Sequence, residues 1–193
     1  MKKNAELKKL GFVNLADAPY PKFYFDLRYA GTNNFTKQKI YDFETAWLRK
    51  EAADALAAAW RAAQKPPRPL TFIIYDCYRP AGAHKKLWEI YPDPGCVAPP
   101  EEGSRHSRGM AVDLTLAEMD GTPLKMPTEF DSFSPKAFSD YDGKDLTEEE
   151  KTNRELLKKI MTSAGFDSVP AEWWHFDKPG WQNIPVCDVK PEY

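Results

Sequence analysis

The sequence predicts an α+β fold in a single domain spanning residues 1–193, with a mainly antiparallel sheet and flanking helices. Three observations point there. A chain of 193 residues has the size of one domain with a substantial core. Its helical stretches and short apolar runs follow one another without the regular strand–helix–strand rhythm of a parallel sheet. Its apolar and charged fractions, 42% and 29%, are those of a globular chain rather than a disordered one.

The elements follow in order. The opening MKKNAELKKL is charged and lacks the apolar core of a secretion signal, so a cytoplasmic location is expected. A leader already removed would instead leave a periplasmic or secreted protein. From Glu44 to Gln64, the positions Leu48, Ala52, Ala55, Leu56, Ala59 and Ala63 recur at helical spacing and predict one long amphipathic helix. Its alanines favour that state intrinsically, and KPPRP, Lys65–Pro69, is expected to end it. LTFIIYD, Leu70–Asp76, is β-branched and aromatic and predicts a buried strand. A short helix is expected over Pro80–Trp88. Tyr91–Gly103 carries four prolines and two glycines and predicts a surface loop.

A second strand is expected over Met110–Leu116. The segment Ala117–Lys144 is irregular and of a length usually kept for function. Thr147 and Glu150 form a capping box that starts a helix, and Gly165 suits its end. AEWWHFD, Ala171–Asp177, predicts a strand with large side chains.

Composition excludes several function classes. A net charge of −2 offers nothing to nucleic acid or an anionic membrane. No apolar run approaches the roughly 20 residues of a membrane helix. Cys77, Cys96 and Cys187 are too few and too scattered for a disulfide framework or a thiolate zinc knot.

Chemistry gathers around the histidines, of which there are three: His84, His106 and His175. His84 stands beside Lys85 and Lys86 and is expected to be solvated. In SRHSRGMAVDLTL, Ser104–Leu116, His106 and Asp113 are an odd number of residues apart, so a regular strand would put them on opposite faces. A turn at Gly109 would let the histidine double back to the carboxylate. The plainer alternative is a turn followed by a core strand. Asp113 has apolar neighbours, where an ionised carboxylate is expensive unless paired or bound to metal.

EWWH adds Glu172 and His175. His106, Asp113 and His175 would form an N, O, N set suited to zinc, with a fourth position left open. Glu172 would then be an uncoordinated general base. A strand ion pair between Glu172 and His175 is the alternative. Arg79, in YDCYRP, follows the first strand, where its planar fork would suit an oxyanion or a carboxylate; on the local sequence alone a surface ion pair is the preferred explanation.

With these motifs in order, the sequence resembles the D-alanyl-D-alanine dipeptidases of the VanX type, zinc peptidases related to D,D-carboxypeptidases and the Hedgehog domain. FDLRYAGTNNF, Phe25–Phe35, resembles the family's N-terminal signature. The pattern Ser-x-His-x-x-Gly-x-Ala-x-Asp is met by Ser104, His106, Gly109, Ala111 and Asp113. The resemblance implies one zinc per chain on His106, Asp113 and His175. It implies Glu172 as general base and later proton donor, and Arg79 as stabiliser of the tetrahedral intermediate. Ser104 would help hold the dipeptide. Asp131, in MPTEFDSF, would receive the substrate ammonium, although Pro127 and Glu129 depart from the family's Met-Gly-Thr-Pro-Phe-Asp run.

The implied reaction is hydrolysis of D-alanyl-D-alanine to two D-alanines, with a small dipeptide substrate as partner and no nucleic acid or membrane; oligomeric state is left open. Alternatives are a D,D-carboxypeptidase acting on peptidoglycan stem peptides and a non-catalytic zinc-stabilised binding module, which would need neither Glu172 nor Arg79. The resemblance also sets Cys77 and Cys96 around the site. In an exported protein their disulfide would contribute roughly 3 kcal/mol, but reduced thiols are expected.

Overall fold

The computed structural model describes residues 2–65 and 68–192. Along the chain run α1 (Lys2–Lys9), β1 (Phe12–Asn14), β2 (Tyr24–Phe25), β3 (Trp47–Arg49), α2 (Lys50–Ala63), β4 (Thr71–Asp76) and α3 (Ala81–Ile90). They are followed by β5 (Ala111–Ala117), α4 (Glu148–Ser163), β6 (Asp167–Val169) and β7 (Glu172–Asp177). One sheet has the order β2-β4-β5-β7-β6, and β1 pairs with β3 apart from it. Only the β2–β4 pairing is parallel among those described; the rest are antiparallel, as the sequence predicts.

The central strands are apolar because both their faces are covered. Every residue of β4 and β5 is buried, which explains continuous runs such as TFIIYD where a half-exposed strand would alternate. Helices α2 and α4 pack on each other and on this sheet. Helix α2 presents a face of Ala52, Ala53, Leu56, Ala57, Ala59 and Ala63, small side chains that lose little rotamer freedom on burial. Helix α4 opens with the expected capping box: the Thr147 side chain accepts from Glu150 N, and Glu150 Oε2 accepts from Thr147 N at 2.8 Å. Its first turn also carries Glu148, Glu149 and Glu150, which favour the positive end of the helix dipole. Gly165 follows in the left-handed region with φ +84°.

The helix expected from Glu44 starts instead at Lys50. Trp47 and Leu48 are buried in succession and pair with Asn14 and Val13 in β1. A distant partner thus overrides a periodicity that Leu48 happens to satisfy. The helix ends at Ala63 with Gln64 as cap; Pro66 and Pro67 of the expected stop lie outside the described residues. Strands β2 and β6 have two and three residues, too few to leave an alternation in sequence. No described helix is long and apolar enough to cross a membrane.

Two irregularities in the sheet matter for function. Register runs from Ile74 opposite Leu114 to Asp76 opposite Asp113, so Tyr75 is an extra residue in β4. Between β6 and β7, Ser168 faces Phe176 while Val169 faces Glu172, leaving Trp173, Trp174 and His175 unmatched on that side. Such bulges re-aim side chains next to active sites.

Gly109 makes the turn into β5, with φ +70° and ψ +25°. A Cβ built there would lie 2.3 Å from Phe12 Cε1. Gly180 has a similar φ of +93° but nothing within 4 Å of its would-be Cβ. Gly180→Ala is therefore expected to cost only the backbone strain it introduces, about 1–2 kcal/mol of stability. Gly109→Ala should lose about 2–4 kcal/mol, because overpacking adds to that strain. Urea unfolding of both variants checks this, and equal losses would contradict the packing argument.

Candidate active site

The site forms where β4, β5 and β7 end side by side. Asp113 in β5 stands directly opposite His175 in β7, and its carboxylate Oδ1 is 2.9 Å from His175 Nδ1. Strand alternation turns both side chains away from the face of Val112, Leu114 and Phe176. His106 arrives from outside the sheet, on a 3-10 turn over His106–Arg108 that Gly109 closes by donating its N–H to the His106 carbonyl at 3.0 Å. The doubling back expected from the glycine is what the structure contains. His106 Nε2 lies 3.2 Å from His175 Nδ1 and 3.4 Å from Asp113 Oδ2.

The hydrogen bonds behind the rings decide what these atoms can do. His106 Nδ1 is 2.7 Å from the Cys77 carbonyl, which accepts its proton and leaves Nε2 with a lone pair. His175 Nε2 is 2.9 Å from Asp177 Oδ1 and can likewise donate there, leaving Nδ1 as the acceptor. Two lone pairs and a carboxylate then converge. A proton would satisfy one of these contacts, whereas a divalent cation would satisfy all three. The mutual spacings also suit a tetrahedral ion, whose ligands at ~2.0–2.1 Å lie about 3.3 Å apart. The residues therefore fit a metal, and the Cys77 carbonyl and Asp177 stand where outer partners would fix the imidazoles of such a site.

Burial makes the electrostatics severe. Asp113 would be driven up by burial, but His106 and His175 hold it well below the usual carboxylate range. Burial pushes His175 down, yet its hydrogen bonds to Asp113 and Asp177 prevail and raise it well above an ordinary histidine. Such mutual stabilisation signals a site that needs positive charge.

Glu172 lies next to the metal donors without belonging to their tight triangle: its Oε2 is 3.7 Å from His175 Nδ1. The bulge in β7 brings the two to one side although they are three residues apart. One third of the Glu172 side chain is open, facing the cavity. Burial of the rest raises its pKa, partly offset by His175. That combination suits an acid–base group.

Arg79 is paired, but not at the surface. Its Nη1 lies 3.0 Å from Asp76 Oδ2, with the side chains 9% and 0% exposed, and its guanidinium sits 4.9 Å above the Tyr29 ring centre. Asp76 also accepts from Tyr41 at 2.9 Å and lies 3.6 Å from His106 Nδ1. Ser104 is buried and accepts from His106 N at 3.2 Å, which frees its hydroxyl hydrogen for another acceptor. Asp131, with φ +61°, accepts from Tyr29 Oη at 3.0 Å and from Phe35 N at 3.2 Å. Burial, with Asp113 and Glu172 nearby, pushes it up to about 7 against the pull of those two donors.

One cavity of about 760 Å³ is lined by Arg79, Ser104, His106, Asp113, Asp131, Glu172 and His175 together. The candidate catalytic, metal-ligating and substrate-binding residues thus come to the same place. The chain's three cysteines are free thiols, with Cys77 and Cys187 buried and Cys96 exposed.

His84 requires correction. It is buried, lines the same cavity and meets the Ala98 carbonyl at 2.7 Å through Nε2. Burial, helped by Arg79, lowers its pKa to about 4. Its lysine neighbours were a poor guide, because successive helix residues point about 100° apart. The structure adds Asp76, Asp177, Tyr29 and Tyr41 as supports around the candidate site. Asp177 had a signal, since a residue two after His175 in a strand shares its face. Tyr29 and Phe35 lie in the Phe25–Phe35 signature, and their role is to hold Asp131.

Comparison with known proteins identifies the family. A family model described as D-ala-D-ala dipeptidase matches residues 8–189. A D-alanyl-D-alanine dipeptidase of Escherichia coli K12 is 37% identical over 178 residues, covering 89% of this chain and 90% of its own. Relatives of the same name from Enterococcus faecalis and Streptomyces coelicolor are each 32% identical, covering 79% of this chain and 84% of their own. Residues 8–189 carry the match and the cavity alike, and the chain belongs to the D-Ala-D-Ala dipeptidase family of peptidases.

Proposed function

We propose that this chain is a zinc-dependent dipeptidase that hydrolyses D-alanyl-D-alanine to two D-alanines. The observation that carries the reading is the triangle of His106, Asp113 and His175 with an unligated carboxylate, Glu172, at its edge. A structural zinc site would close its fourth position and need no such base. The names of the relatives support the substrate.

His106 Nε2, an Asp113 oxygen and His175 Nδ1 would hold the metal. Zinc, when bound, polarises a carbonyl and makes water acidic enough to attack near neutral pH. Glu172 takes a proton from the attacking water and returns it to the leaving amine nitrogen. Its raised pKa suits both transfers. Arg79, anchored on Asp76 and stacked on Tyr29, presents a fixed cation to the oxyanion that develops as the amide is attacked. Asp131, buried and held by Tyr29 and Phe35, is the acid for the substrate's free ammonium. The Ser104 hydroxyl donates to the bound dipeptide.

The decisive assay compares D-Ala-D-Ala with its N-acetylated analogue, with and without chelator. Hydrolysis of the free dipeptide alone, lost on chelation and restored by zinc, is the expected result. Equal cleavage of the acetylated analogue would make the protein a carboxypeptidase of longer peptides.

The metal and the base are separable. Near-equimolar zinc is expected in the purified protein and should be lost in His175→Ala. Glu172→Gln should keep its zinc while kcat falls by at least roughly 10²–10⁴-fold. Elemental analysis beside steady-state kinetics reads both; near-normal turnover by the Gln variant would assign the proton transfers to another group.

Asp131 carries a stability signature. Its folded pKa of about 7 lies above its unfolded value, which is about 3.9. Its ionisation therefore opposes folding increasingly as pH rises from about 4 to 7, and levels off above. In metal-free protein, Asp131→Asn should be more stable than the parent by a margin that grows across that window, reaching about 1–3 kcal/mol at pH 8. Its KM for D-Ala-D-Ala should rise. Denaturation curves at pH 4.5 and pH 8 check the sign, and a margin that shrinks with pH would contradict it.

A further inference from the structure

A dipeptide is charged at both ends, but the roles above supply only one of them. Asp131 can take the ammonium. Arg79, buried on Asp76 at 9% exposure, is already assigned to the oxyanion, which leaves the carboxylate without a cation. One other arginine lines the cavity, Arg105, the chain neighbour of His106.

Arg105 is held on one edge and one face. Its Nη1 donates to Asp177 Oδ2, and its Cζ lies 4.8 Å from the Trp181 ring centre. Asp177 is itself buried and its other oxygen faces His175 Nε2. Among the described residues Nε and Nη2 of Arg105 meet no acceptor, and 40% of the side chain is exposed. A guanidinium braced in this way, with the rest of its fork open to a cavity, is preorganised for a carboxylate. The Asp177 contact leaves the fork incompletely used, and Trp181 limits the orientations it must surrender on binding.

We propose that Arg105 binds the free α-carboxylate of the substrate's C-terminal residue, an inference that rests on the dipeptidase reading. Length agrees with charge. One residue separates the scissile carbonyl from that carboxylate, about 3.5 Å of chain. The receptor must therefore adjoin the metal donors, as Arg105 does through His106 in sequence and through Asp177 and His175 in space. Asp131 comes from a different segment of the wall. Acid and base at two places around the metal donors would select a zwitterion two residues long.

The alternative role for Arg105 is to brace Asp177 and so orient His175. Turnover of D-Ala-D-Ala and of its C-terminal amide separates the two. The parent enzyme should favour the acid by roughly 10–100-fold in kcat/KM, the range for a charged hydrogen-bonded contact. In Arg105→Gln the ratio of acid to amide should collapse toward one, with zinc content and circular dichroism unchanged. Arg105→Lys keeps a charge for Asp177 but loses the fork, and its ratio should fall between. A brace acts on both substrates alike, so an acid preference that survives Arg105→Gln would overturn the assignment, as would its absence in the parent. If the zinc-loaded parent hydrolyses neither substrate, the dipeptidase reading itself falls.

Discussion

Everything in this site depends on burying carboxylates at the ends of adjacent strands and giving each a cation. Asp76, Asp113 and Asp177 are 0%, 4% and 3% exposed. Unpaired, each would be protonated or would destabilise the fold by several kcal/mol. Arg79 answers Asp76, and Arg105 with His175 answers Asp177. Asp113, at the centre, is answered only by the imidazoles of His106 and His175, whose far nitrogens are turned to the Cys77 carbonyl and Asp177. The fold therefore leaves an excess of electron pairs at one point. A metal ion held by His106, Asp113 and His175 would resolve that excess.

The geometry needed for this comes from departures from regular structure. An undisturbed β4 would not set Asp76 against Asp113, and an undisturbed β7 would separate Glu172 from His175. The extra residue at Tyr75 and the unmatched run Trp173–His175 correct both. Gly109 supplies the third departure, turning His106 back toward the strand it precedes. The regular part of the sheet, buried on both faces and covered by α2 and α4, is what holds these irregular parts rigid.

The remote segments act as supports. Tyr29 lies under Arg79 and donates to Asp131, so one ring links the proposed oxyanion group to the proposed ammonium group. Phe35 N–H completes the hold on Asp131, whose left-handed backbone is itself strained. Tyr41 does the same for Asp76. These residues come from the stretch between β2 and β3, which has little regular structure of its own. Its function is to order charges that arise elsewhere in the chain.

By itself, the sequence determined the class of fold, the strands β4, β5 and β7, the capped helix α4 and the candidate residues His106, Asp113, Glu172, His175 and Arg79 that gather in one cavity. These were legible because the cause is local: apolar runs, a capping box, rare histidines in motifs with fixed spacing. Only the tertiary structure decided that Trp47–Arg49 is a strand, that His84 is buried, and that Asp76, Asp177 and Tyr29 serve the site. It also decided that Arg79's ion pair is buried within the cavity. In each case the deciding partner is distant in sequence or reached through a bulge, and no local period records a register shift. Spacing along the chain specifies which groups are available; the pairing of strands and the sharing of buried charge specify which of them meet.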